Sequence, residues 1–211
     1  PARSEMCIRD RPNTAVEEGS LDANFFQHTP YLNEQNSSKG YHLVSVGAIH
    51  LEPMGLYSKK VKSLDELKDG ATIAVPNDPS NEARALKLLA GKGLIKIKDG
   101  ELVTSKDITE NPKNLKFNEL EAAAVPRAID DVDAAVINGN YAIEAKFNPA
   151  KDAIIIEDKA SEAAKPYANI VVVKQGNENQ EKIKALVKAM TSPEVKEFIE
   201  KEYNGSVIPV F

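Results

Sequence analysis

Polar and aromatic residues stand just after several apolar runs, the position where open α/β sheets hold ligands. The stretch Asn24-Phe25-Phe26-Gln27-His28-Thr29-Pro30-Tyr31 carries three aromatic rings and an imidazole. That mix suits an apolar or thioether side chain, and it equally suits core aromatics packed beside a satisfied histidine. Arg84 falls in the first turns of the helix expected after Asn77-Asp78-Pro79-Ser80-Asn81. Amides at a helix start favour an anion, and a guanidinium takes a carboxylate with two bonds, although a solvated helical arginine explains Arg84 as well. Asn138 ends the apolar run Ala134-Ala135-Val136-Ile137 and could offer its amide oxygen to an ammonium or its nitrogen to a carboxylate, or simply turn the chain ahead of Gly139. Tyr57, with Gly55 and Ser58, is a candidate for a crossing between lobes or a plain surface tyrosine. Asp130, Asp131 and Asp133 resemble a metal cluster on paper, but a solvated helix end accounts for them better.

Other chemistry lacks a motif. The sequence holds no Gly-x-Gly-x-x-Gly, Walker loop, Gly-x-Ser-x-Gly or His-Glu-x-x-His, and His28, His42 and His50 have no metal-ligand spacing. No cofactor is implied, and an enzyme is the weaker reading. A net charge of −5, from 27 basic and 32 acidic residues, gives no field for phosphate backbones, so nucleic acid is not an expected partner. The lone Cys7 forms no internal disulfide. No apolar run approaches the roughly 18 to 20 residues of a membrane span.

The elements that must position these residues are set by pattern. Of the 211 residues, 42% are apolar, and the absence of Trp leaves Val, Ile, Leu and Ala to build the core. Helices are expected to end near Gly19, to run from Tyr31 to Gly40 and to start at the Ser63-Leu64-Asp65-Glu66 capping box, with others over 82–90, around 122–129, from Tyr141, and as a pair over 178–203 broken near Ser192-Pro193. Strands are expected over 20–26, 41–49, 71–75, 115–120, 133–138 and 153–157, and within 167–174. Gln27 to Pro30 reads as a loop. Alternating strands and helices predict an α/β fold with a parallel sheet, arranged as two lobes. Residues 1–11 have neither helical nor strand period and read as a sequence scar, joined abruptly to a well-patterned chain that begins at Pro12.

Collinear motifs then carry a family resemblance over residues 12–211. They include Leu21 to Leu32, Tyr57-Ser58-Lys59-Lys60, Ser63 to Leu67, Val75 to Asn81 with Arg84, Gly93-Leu94-Ile95, Glu110 to Leu115, Leu120-Glu121-Ala122 with Pro126-Arg127, and Ala135 to Asn138 with Tyr141-Ala142. Together they resemble the NlpA-type methionine-binding lipoprotein family. The resemblance implies a two-lobed α/β fold of the periplasmic-binding-protein type, closing on L-methionine or a close relative and delivering it to an ABC importer permease driven by a separate ATPase. It further implies that Phe26, His28 and Tyr31 line the thioether site, that Arg84 clamps the carboxylate, that Asn138 holds the polar end, and that Asn81 and Tyr141 add contacts. Arg84→Ala is then expected to remove carboxylate-dependent binding while leaving the middle lobe folded.

The implied location is the cell envelope, lipid-anchored or periplasmic. Against the family pattern, the lipobox cysteine and the first strand and helix of one lobe are expected to be missing from this chain, and Cys7 is not the lipidated residue. The expected lobes are 12–57 with 170–211, underpacked and exposing apolar surface, and a complete 58–169. Another small amino acid or a Met-containing dipeptide stays open as the ligand. The rival class is an enzyme on the same architecture, with His28 and a nearby carboxylate as acid and base.

Overall fold

Helix starts follow the chain's Asp, Ser, His and Pro residues in the computed structural model, which describes residues 11–158, 160, 161 and 163–211. The foreign segment expected at 1–11 lies outside the described residues apart from Arg11, and Cys7 lies outside with it. The chain falls into two compact units. One ends at Glu52, resumes after Asp158 and runs to Phe211; the other is Pro53–Asp158. The changeovers therefore lie about five and eleven residues before the 57/58 and 169/170 positions expected from sequence.

The first unit contains α1 (Arg11–Glu17), β1 (Asn24–His28), α2 (Thr29–Lys39) and β2 (Leu43–Leu51). Gln27 and His28 belong to the strand rather than to a loop. The His28 ring caps α2, its Nδ1 accepting the Tyr31 amide hydrogen at 3.2 Å, and Gly40 closes that helix at φ +69°, where a side chain would be strained.

The second unit contains β3 (Gly55–Tyr57), β4 (Thr72–Pro76), α3 (Pro79–Gly91), β5 (Lys96–Ile97), β6 (Ile108–Glu110), β7 (Lys116–Leu120), β8 (Ala134–Ile137), α4 (Gly139–Glu144), α5 (Pro149–Asp152) and β9 (Ile155–Ile156). Asp78 caps α3 by accepting the Asn81 amide hydrogen at 3.0 Å, and Pro79, which has no N–H to lose, opens it. The capping box expected at Ser63 does not form. Glu66 instead accepts the Lys62 amide hydrogen at 2.8 Å, and only a short 3-10 turn, Leu64–Glu66, results. The helix expected around 122–129 is likewise a 3-10 turn, Val125–Ala128, with Pro126 in its first positions.

The chain then completes the first unit with β10 (Asn169–Lys174), α6 (Glu181–Met190), α7 (Pro193–Tyr203) and β11 (Ile208–Pro209). Its sheet has the order β1-β10-β2-β11, and every pairing in it is antiparallel. The expected parallel sheet is corrected here. β1 and β2 do point the same way, as a strand-helix-strand unit requires, but the returning β10 lies between them. In the second unit's sheet, of order β7-β4-β8-β3-β9, β7, β4 and β8 pair in parallel, and β3 alone is reversed, pairing antiparallel with β8 on one side and with β9 on the other.

Strand alternation separates two cores in the second unit. Ile73, Val75 and Val136 pack with Leu86 and Leu89 of α3. Ala74, Ala135 and Ile137 pack the other way with Tyr57, Val125 and Ile129. The first unit buries Val16, Leu32, Leu43, Ile170 and Val172 together, while Gly47 lies under Val187 of α6 on the opposite face. Among the described residues its exposed large apolar side chains are Leu21, Phe25, Leu186, Phe198 and Val210, against Leu102 and Ile156 in the other unit.

Candidate functional site

Two groups of expected site residues emerge, one in each unit. In the second unit, β4 and β8 are parallel neighbours whose carboxyl ends lead into α3 and α4. Asn81 in the first turn of α3 and Asn138 just ahead of α4 are thereby brought together, and Asn138 Nδ2 donates to Asn81 Oδ1 at 2.7 Å. Asn81 Nδ2 is committed to the Asp78 carboxylate at 2.8 Å, so Asn81 must present its oxygen to Asn138. That order fixes both amides. Asn138 Oδ1 is left buried with no hydrogen-bond partner. A buried carbonyl in that state costs about 1–3 kcal/mol, which an ammonium group would recover.

Arg84 follows Asn81 by three residues on α3, one turn along the same face. It is not a solvated helical arginine, being 4% exposed. Its Nε donates to Glu157 Oε1 at 2.9 Å and its Nη2 donates to Glu157 Oε2, a side-on pair with the carboxylate that follows β9. Tyr141, half-buried on α4, packs at the margin of the core that holds Tyr57.

In the first unit the register of β1 against β10 shifts between Phe25 and Gln27, which leaves Phe26 as the extra residue of a bulge. Bulges re-aim side chains, and the Phe26 ring lies 6.0 Å from Tyr31, edge to face. His28 meets Tyr31 at 6.3 Å and Tyr167 at 5.1 Å, both edge-on. Accepting through Nδ1 places the His28 proton on Nε2, a donor.

Sequence reasoning missed Tyr167, Asn169, His50 and Glu157. Strand pairing places His28 opposite Asn169 and Asn169 opposite His50, so the three form a row across β1, β10 and β2. Asn169 Nδ2 lies 3.4 Å from His50 Nε2, and the same histidine nitrogen lies 2.8 Å from Glu52 Oε1. The one available hint was that Tyr167-Ala168-Asn169 opens directly onto the apolar run 170–173.

The remaining candidates are occupied or alone. Asp130 pairs with Lys59 at 2.9 Å, and Asp133 Oδ2 accepts the Thr72 amide hydrogen at 2.8 Å. Among the described residues no group of three or more His, Cys, Asp or Glu side chains could hold a metal ion, and no helix is long and apolar enough to cross a membrane. Tyr57 is fully buried, not a surface residue; its hydroxyl lacks a partner, and burial pushes its pKa well above the usual phenol range.

An α/β chain with polar groups gathered at strand ends and an aromatic cluster on a strand bulge has the marks of a small-molecule binding protein. Comparison with known proteins makes the family specific. Residues 9–211 match the NlpA lipoprotein family, and the chain belongs to it. It is 52% identical over 201 residues to the D-methionine-binding lipoprotein MetQ of Salmonella typhi, a match covering 93% of this chain and 73% of the relative. Among solved structures it resembles a nutrient-binding protein from Burkholderia cenocepacia bound to methionine, with a TM-score of 0.91 and 52% identity over 95% of this chain and 84% of that one. A periplasmic substrate-binding protein of an ABC transporter from Coxiella burnetii gives a TM-score of 0.89 and 49% identity over 94% and 83%.

Proposed function

We propose that this protein captures methionine or a close relative and hands it to an ABC importer, performing no chemistry itself. The observation that carries the reading is the unpartnered Asn138 Oδ1, locked in direction by Asn81 and joined through α3 to Arg84. In this reading the oxygen receives the ligand's ammonium, and Arg84 receives its carboxylate. Phe26, His28, Tyr31 and Tyr167 supply apolar surface and a ring donor for the thioether, whose burial contributes about 25 cal/mol per Å² of apolar area. Asn81 acts by holding Asn138, and Tyr141 and Asn169 are further contacts.

The relatives support the ligand class: one is described as D-methionine-binding and one was solved with methionine. The relative described as a substrate-binding protein of an ABC transporter supports the importer, and a permease and its ATPase are the partners this reading gives the chain. The lipoprotein family supports placement in the cell envelope, and attachment through a lipidated cysteine is part of the same reading.

Calorimetric titration of L-methionine, D-methionine and a methionine-containing dipeptide into the folded chain tests the reading. A saturable one-to-one heat with at least one of them is expected. A folded chain that gives none with all three refutes it.

A further inference from the structure

We propose that Glu157 makes the Arg84 site selective for a zwitterion over a simple anion. The inference rests on the methionine-binding reading, in which Arg84 receives a ligand carboxylate. A lone buried guanidinium would attract any small carboxylate. Arg84 is not alone, because Glu157 takes its Nε–H and an Nη2–H side-on, with side chains 4% and 14% exposed. The pair is neutral and largely out of water.

Glu157 is also fixed from its other side. Its backbone N–H donates to the Met54 carbonyl at 2.9 Å, and its Oε2 accepts the Met54 amide hydrogen at 3.4 Å. Met54 leads into β3, so the carboxylate is anchored to the sheet and cannot readily swing away when a ligand arrives. A desamino acid would therefore bring an unbalanced negative charge into a site already neutral, with a desolvation cost that no opposite charge offsets. An amino acid brings its own ammonium with its carboxylate and adds no net charge. Asn138 Oδ1 supplies an acceptor for that ammonium, and Asn81 connects it to the helix that carries Arg84. The unpartnered acceptor and the balanced guanidinium thus both favour the zwitterion.

The test compares L-methionine with its desamino analogue, 4-(methylthio)butanoate, by calorimetry on the wild type, Glu157→Gln and Glu157→Asp. Wild type should prefer L-methionine. Glu157→Gln should narrow that preference about tenfold or more, the effect of removing one charge at an effective dielectric near 20. Glu157→Asp keeps the charge and should keep the preference, even where a shorter reach weakens both affinities. The ratio is the readout because a merely structural role for Glu157 would weaken both ligands alike.

An unchanged ratio in Glu157→Gln overturns the proposal, as does a wild type that binds both ligands equally. If Glu157→Gln does not fold, Glu157→Asp decides, and a narrowed preference there overturns it. Wild type binding neither ligand overturns this inference, and the methionine reading falls with it where D-methionine and the dipeptide also give no heat. Binding of L-methionine with an unmoved ratio sinks the inference alone.

Discussion

Replacing Asn138 by leucine separates the ligand's requirement from the fold's. The side chain is of similar size, and Asn138, although it stands at the N-cap of α4, makes no capping bond that would be lost. Two stability effects oppose each other. Removing the unpartnered Oδ1 relieves a buried acceptor that costs about 1–3 kcal/mol. Losing the Nδ2 bond takes a donor from the buried Asn81 Oδ1 and costs about 1–3 kcal/mol. The terms offset to within about 2 kcal/mol, so the urea midpoint should move little.

Ligand affinity has no such offset. A hydrogen bond from an ammonium to this oxygen is worth about 1.5–3 kcal/mol, so the L-methionine Kd should rise about tenfold to about 150-fold. Calorimetry and urea melts on one preparation read both quantities. An affinity within twofold of wild type would refute the role given to Oδ1. A large fall in stability accompanying the loss of affinity would refute the offset reasoned from the amide chain.

Arg84→Ala should remove binding and, while leaving its unit folded as expected from sequence, should destabilise it by about 3 kcal/mol, because the largely buried Glu157 carboxylate loses its partner; an unchanged urea midpoint would refute this. Tyr57→Phe deletes a buried hydroxyl that bonds nothing and should raise stability by about 1 kcal/mol, checked by thermal melting. Gly55→Ala would set a Cβ 3.0–3.1 Å from the Tyr57 ring and hydroxyl, a clash expected to cost about 1–3 kcal/mol in the same assay. Glu82 is buried among Glu119, Asp78 and Asp107 and accepts the Ser105 amide hydrogen, and burial holds its pKa above the usual carboxylate value of 4.5. The folded state thus binds this proton more tightly than the unfolded chain, so stability falls as pH rises from the ordinary carboxylate range through the raised value. Glu82→Gln should therefore be more stable than wild type at neutral pH, with the gain shrinking toward zero below pH 4.5, as read by melts across pH.

The legible parts of the molecule were those set by residues close in sequence. Asp78-Pro79 ahead of a helical run marked the strand-turn-helix around residues 71–91, and Ser192-Pro193 marked the break between the closing helices; both are present as caps. The Ser63 box had the right letters, but Glu66 bonded the amide of Lys62 rather than that of Ser63, and no full helix formed. Strand direction was harder to read. Alternation showed that β1 and β2 run the same way and could not show that β10, more than a hundred residues later, would lie between them. The same distance hid part of the site. Arg84 was legible as a cation at a helix start, whereas its partner Glu157 lies 73 residues away and reaches it after β9 has paired with β3. Tyr167, Asn169 and His50 likewise become neighbours of His28 only once three strands are in register.

Among the described residues, two buried side-chain polar atoms of the second unit lack a partner, and they do not mean the same thing. The Tyr57 hydroxyl lies over Gly55, on a side of the sheet lined by Ala74, Ala135 and Ile137, with the Phe147 ring 5.1 Å from its own. None of these neighbours is polar, and burial is the larger cause of its raised pKa, with the charge of Asp152 adding to it. It is a cost of filling that space with a large ring. Asn138 Oδ1 differs because a chain of bonds from Asp78 through Asn81 determines which atom is left over. Rotating the Asn138 amide would set two oxygens against each other, so the lone acceptor is imposed rather than accidental. A cost maintained by its surroundings, next to a helix that also carries a buried guanidinium, is the pattern expected where a ligand supplies the missing partner. Deleting the Tyr57 hydroxyl should accordingly leave L-methionine affinity within twofold of wild type, and an affinity loss matching that of Asn138→Leu would remove the distinction.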